Sequence, residues 1–192
     1  MRPASRAFTL IELLVVVAVI AILAAIAVPN FLEAQVRAKV SRVKNDMRTL
    51  DTALSTYRVD FNGYPPDYGM DEFRSWVHLT TPVAYVSTVL LDVFDTTNAS
   101  HAGAGRFHAF AYLNPEVNAT WWEQATGAGL FWAAVSPGPN NYLDWQDAQP
   151  TYHWLHVRFP ELSNSPAMLY DPTNGTVSTG DLVRSNLGIA GG

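Results

Sequence analysis

Polarity divides this chain into three stretches. Residues 8–28 are apolar at all but two of their 21 positions, Thr9 and Glu12. A helix of that length spans about 31 Å, the thickness of a bilayer's hydrocarbon core. A pattern of a different kind follows Pro29. Val36, Val40, Val43, Met47, Leu50, Leu54, Tyr57 and Phe61 recur at alternating spacings of four and three, an apolar stripe along one face of a helix. Arg37, Lys39, Arg42, Lys44, Asp46, Arg48, Asp51 and Arg58 occupy the other faces. Pro29 removes one helical hydrogen bond and is expected to kink or loosen the helix. Asn62-Gly63, followed by Tyr64-Pro65-Pro66, is a stop signal, so the spacing predicts one helix from Phe8 to about Phe61.

The third stretch, residues 63–192, is rich in Pro, Gly, Asn and aromatic residues. Leu79-Thr80-Thr81-Pro82 is read as the start of a short helix reaching about Leu90, with Pro82 in its first turn. Strands are predicted over 107–113, 130–135, 167–170 and 175–183. The whole reads as α+β: a long N-terminal helix packed on a small antiparallel sheet. Its expected organisation is a leader over 1–7, a membrane or polymerisation helix over 8–28, an amphipathic stem over 29–62 and a globular head over 63–192. The stripe is expected to pack on the chain's own sheet, since about four heptads is short for a free coiled coil.

Charge changes this picture by giving it direction. Arg2 and Arg6 precede the apolar run and belong on the cytoplasmic side, which places the head outside. The run is too long for an ordinary secretory signal, and its polar leader ends before it. Residues 1–58 carry eight Lys or Arg against four Asp or Glu, a net +4, whereas residues 59–192 carry four against thirteen, a net −9. A basic stem and an acidic head attract each other between subunits, although an acidic surface also serves solubility alone. The acidic head argues against binding nucleic-acid phosphates. The chain contains no cysteine, which excludes disulfides, thiolate metal sites and cysteine nucleophiles.

Candidate chemistry is sparse. No nucleophile elbow, phosphate loop or HExxH pattern is present, so no enzyme is expected. Glu12 is the informative residue. A carboxylate in an apolar helix costs roughly 2.5–3.5 kcal/mol at the bilayer centre, less near the interface. If the chain is cut before Phe8, the new amine of one subunit can pair with Glu12 of a neighbour, and such a buried pair sets register more than stability. Residues 142–159 hold Tyr142, Trp145, Tyr152, Trp154 and Phe159 with His153 and His156. They read as a small core or an interface, or as a stacking platform on a membrane-tethered binding module.

The stretch Ala7-Phe8-Thr9-Leu10-Ile11-Glu12-Leu13 resembles the processing motif of type IV pilins and type II secretion pseudopilins. The resemblance implies cleavage between Ala7 and Phe8 by a prepilin peptidase, N-methylation of Phe8, and roles in assembly for Glu12 and the helix proline Pro29. The family usually has Gly where this chain has Ala7. Leu79-Thr-Thr-Pro-Val-Ala-Tyr85, Val135-Ser-Pro-Gly-Pro139 and Tyr170-Asp-Pro-Thr-Asn-Gly-Thr-Val-Ser-Thr-Gly-Asp181 resemble the major pseudopilin, protein G. That branch implies a homopolymeric filament, minor pseudopilins and an inner-membrane assembly platform as partners. It also implies residence as a single-pass protein of the cytoplasmic membrane before assembly into a periplasmic pseudopilus or a cell-surface filament. It further implies calcium in a C-terminal loop, where Asp171, Asn174 and Asp181, or Asp144 and Asp147, supply oxygen ligands. Turn chemistry accounts for the same Asp-Pro and Asn-Gly pairs without a metal.

Overall fold

The computed structural model describes residues 8–68, 72–94, 109–114, 129–141, 169–171, 173, 178 and 180–190. Its largest element is helix α1, Leu10–Phe61, 52 residues long and continuous through Pro29. Thr9 caps its start, and Asn62 ends it in the left-handed conformation at φ 53°, which asparagine tolerates better than most residues. On the exposed face the hydroxyls of Thr49, Thr52 and Thr56 donate to the carbonyls of Asn45, Arg48 and Thr52. These hydroxyls are thus satisfied within the helix.

The stripe packs as its spacing predicts. Val40, Val43, Met47, Leu50, Ala53, Leu54 and Tyr57 are buried, and Val36 lies partly buried against them. Phe61 departs from the expectation: it is 50% exposed, its ring stacked on Tyr57 with centroids 4.4 Å apart. The stripe faces a four-stranded antiparallel sheet of β1 (Ala111–Leu113), β2 (Ala133–Ser136), β3 (Leu182–Ser185) and β4 (Gly188–Ala190), in that order. Ala111 pairs with Val135, Val135 with Val183, and Val183 with Ala190. Trp76, Phe110, Tyr112, Trp132 and Leu182 close the core between sheet and helix. The α+β expectation holds.

Several local expectations do not. No helix forms over 79–90. A short helix α2, Glu72–Val77, precedes it instead. The amides of Leu79, Thr80 and Thr81 fold back on the Trp76 and Val77 carbonyls, and the hydroxyls of Thr80 and Thr81 also donate to Val77. The amides of Tyr85 and Val86 both donate to the Leu79 carbonyl. These donors close a loop, so no helical ladder is left for Pro82 to start. The strand expected over 175–183 begins only at Leu182 among the described residues, and the hairpin joining β3 to β4 through Asn186-Leu187 was not expected. A parallel bridge, Leu169 to Asp181, brings a further segment beside β3. It depends on Gly180, where a Cβ would lie 2.0 Å from the Leu169 carbonyl carbon.

Candidate functional site

The N-terminal end of α1 carries the chemistry. Thr9 is extended (φ −84°, ψ 151°) and forms a reciprocal cap with Glu12. The Thr9 amide donates to Glu12 Oε2 at 2.9 Å and its hydroxyl donates to the same oxygen at 2.7 Å. The Glu12 amide returns a bond to Thr9 Oγ1 at 3.3 Å. This is a capping box, and it satisfies two of the orphan donors at the helix start. Glu12 thus has a partner within its own chain, in addition to the intersubunit pairing expected of it. The signal is present in the sequence: Thr9-Leu-Ile-Glu12 has the T-x-x-E spacing of a capping box.

Beyond the cap, large apolar side chains from Leu10 to Leu32 stand in solvent. None of the most apolar 18-residue window of α1 is buried. Among the described residues α1 is the one helix long and apolar enough to cross a membrane. The helix runs unbroken through this stretch, so its backbone groups can be satisfied within the segment, as a lipid environment requires.

The stem and the head are joined by charge. Arg184 on β3 donates through Nη2 and Nε to Asp51 Oδ2 at 2.5 and 3.1 Å. Lys39 and Lys44 lie over the rings of Phe94 and Tyr170, 5.9 and 5.8 Å from the centroids. Arg58 sits between Tyr64 and Phe131 at 5.0 and 4.9 Å. Arg42 pairs with Asp46 at 3.6 Å, and burial nonetheless pushes the Asp46 carboxyl up. Burial, helped by Arg74, holds the His78 imidazole below its ordinary value, and His78 stacks on Tyr68 with centroids 5.8 Å apart. The basic cluster over 37–44 is therefore partly a set of clamps on the head and not only a solvated face.

Residues 2–28 match the family described as the prokaryotic N-terminal methylation motif. The stretch that carries the Thr9–Glu12 cap and the exposed apolar run is the stretch that matches. The N-terminal part of the chain is similar to type IV pilins and to type II secretion protein G. It is 53% identical over 56 residues to the type IV major pilin protein PilA of Myxococcus xanthus, covering 29% of this chain and 26% of that protein. It is 41% identical over 64 residues to the type II secretion system core protein G of Pseudomonas aeruginosa, covering 33% of this chain and 45% of that one. The type IV major fimbrial protein FimA of Dichelobacter nodosus is 45% identical over 76 residues, covering 40% of this chain and 46% of its own length. The chain thus spans less than half the length of these curated relatives. No solved structure gives a significant match.

In the head the expected calcium ligands are only partly in view. Asp171 and Asp181 lie on neighbouring segments joined by the Tyr170 amide, which donates to the Asp181 carbonyl at 2.9 Å. Asp181 is fully buried. Asp171 Oδ1 accepts from the Thr173 hydroxyl and amide at 2.6 and 2.8 Å, bonds that hold its carboxyl below the usual range. That arrangement is a turn in its own right. Asn174, Asp144, Asp147 and the aromatic segment 142–159 with His153 and His156 lie outside the described residues, as does Ala7. Among the described residues no three His, Cys, Asp or Glu side chains converge. Two carboxylates fall short of the six to eight oxygens calcium takes, so the described residues do not by themselves make the site.

Proposed function

We propose that this chain is a subunit of a pilin-type filament, cut between Ala7 and Phe8 by prepilin peptidase, N-methylated on Phe8, and held in the cytoplasmic membrane by residues 8–28 until assembly. One observation carries the reading: a capped, apolar helix that leaves its whole first half unburied in its own fold. An exposed apolar surface of this length needs lipid or other copies of itself. Its matching to the methylation motif favours both in turn, lipid first and a bundle of copies afterwards. Within that class the head motifs and the lack of cysteine favour a type II secretion pseudopilus, with minor pseudopilins and an inner-membrane platform as partners. A type IV pilus for adhesion or motility is the second reading, favoured by the 53% identity to a major pilin. Calcium belongs to the first reading through Asp171, Asn174 and Asp181. A melting temperature unmoved by calcium or chelator counts against it.

The deciding experiment is electron microscopy of filaments sheared or isolated from cells, with mass spectrometry of the subunit N-terminus. A subunit beginning at methylated Phe8 within a filament is the expected result. Glu12→Gln, which removes the charge and keeps an acceptor oxygen, is expected to insert in the membrane and fail to assemble. Normal filaments from that variant would sink the role given to Glu12.

A further inference from the structure

Helix α1 starts two residues after the candidate cleavage point, and the position of that start is held by the Thr9–Glu12 bonds. Neither Phe8 nor Thr9 is helical. A peptidase binds its scissile bond in extended backbone, where the flanking amides and carbonyls are free to meet the enzyme. In a helix those carbonyls are committed to the helical ladder. The sequence offers a competing start at Ser5, since serine is as good an N-cap as threonine. A helix begun there would enclose Arg6, Ala7 and Phe8 in its first turn. What separates the two is the third helical position, which is Glu12 after Thr9 and Phe8 after Ser5. Only the start at Thr9 gains the reciprocal bond of a capping box.

We propose that Thr9 is a positioning residue for leader removal: its bonds with Glu12 keep the helix start downstream of the Ala7–Phe8 bond, so that the backbone on the Phe8 side stays out of the helical ladder when the peptidase binds. The inference rests on the reading of this chain as a processed pilin-type precursor. It gives Glu12 two separable duties. The cap needs only an acceptor oxygen, which glutamine also supplies. Assembly needs the charge.

The test follows the rate of leader loss from the full-length precursor in membranes containing prepilin peptidase, read by mass spectrometry. Thr9→Val removes the hydroxyl at nearly constant shape and is expected to slow cleavage about five-fold, the effect of losing one cap. Thr9→Ser is expected to restore the wild-type rate. Glu12→Gln is expected to be cut at close to the wild-type rate even where it forms no filament. Adding Ser5→Ala to Thr9→Val removes the competing start and is expected to recover most of the lost rate. Cleavage of Thr9→Val at the wild-type rate, or no recovery in the double variant, overturns the inference. A wild-type chain that is never cut overturns instead the precursor reading beneath it.

Discussion

Trp76 and Trp132 are both fully buried, but their indole nitrogens differ. Trp76 Nε1 donates to the Phe110 carbonyl at 2.7 Å, whereas Trp132 Nε1 meets no acceptor among the described residues. Replacing each by phenylalanine removes similar volume, but only Trp76→Phe leaves a buried carbonyl bare, a loss of about 1–3 kcal/mol. Trp76→Phe is therefore expected to lower stability in urea melts by about that much more than Trp132→Phe. Tyr85 offers a second test at this scale. Its hydroxyl donates to Asp60 Oδ2 at 2.5 Å, and that bond, with smaller help from desolvation and the carboxylate's charge, pushes the phenol up to about 12. The unfolded value is near 10. A folded value above the unfolded one means the contribution is whole below pH 10 and lost as pH rises through 12. Absorbance titration is expected to show a tyrosine ionising at about 12 in the folded protein, and Asp60→Asn is expected to bring that one back toward 10.

At the scale of elements, α1 was the most legible part of the sequence, because its stripe repeats over many turns and Asn62-Gly63 ends it where the stop signal lies. Leu54→Ala, in the middle of the buried face, is expected to cost about 2–5 kcal/mol. Thr52→Ala on the exposed face is expected to cost less than about 0.5 kcal/mol. Thermal melting of both variants checks the assignment of faces. The short elements were less legible, for a physical reason. Three- and four-residue strands have too few positions to show alternation, and β2 is buried on both faces, so it shows none. Pro82 looked like a helix start because proline suits a first turn. Nothing local showed that the donors of Tyr85 and Val86 would go to Leu79. The β3–β4 hairpin carried a usable signal, Asn186 and Gly188 between apolar pairs, with Gly188 at φ 118°. Asn186 is further fixed from afar, since its side chain accepts from the Phe131 amide at 2.8 Å and donates to the Gly129 carbonyl at 2.7 Å.

At the scale of the whole molecule, what the sequence could not show is contact across long separations. Asp51 and Arg184 are 133 residues apart, and neither pattern nor spacing links them. The cap at Thr9 was legible in principle, since it spans only four residues. The boundary between the exposed apolar run and the buried stripe follows the change of pattern after Pro29, and it gives a further expectation. The large apolar side chains before Val36 stand outside the core, so removing residues 1–28 deletes no core contact among the described residues. The remaining chain, 29–192, is expected to melt within about 2 °C of the full chain, since a change that removes no core contact moves stability by less than about 0.5 kcal/mol. It is also expected to leave the membrane fraction, as shown by fractionation.

Pro29 gives that division a mechanical side. The carbonyl of Ala25 loses its helical donor there, making this the softest point of a rod about 78 Å long. The first buried residue, Val40, lies three turns farther on. A sideways pull on the head therefore meets a hinge before it meets the core. Bending at Pro29 would take up torque before it reached the sheet and the stripe, so the exposed apolar run could tilt while the head stays folded.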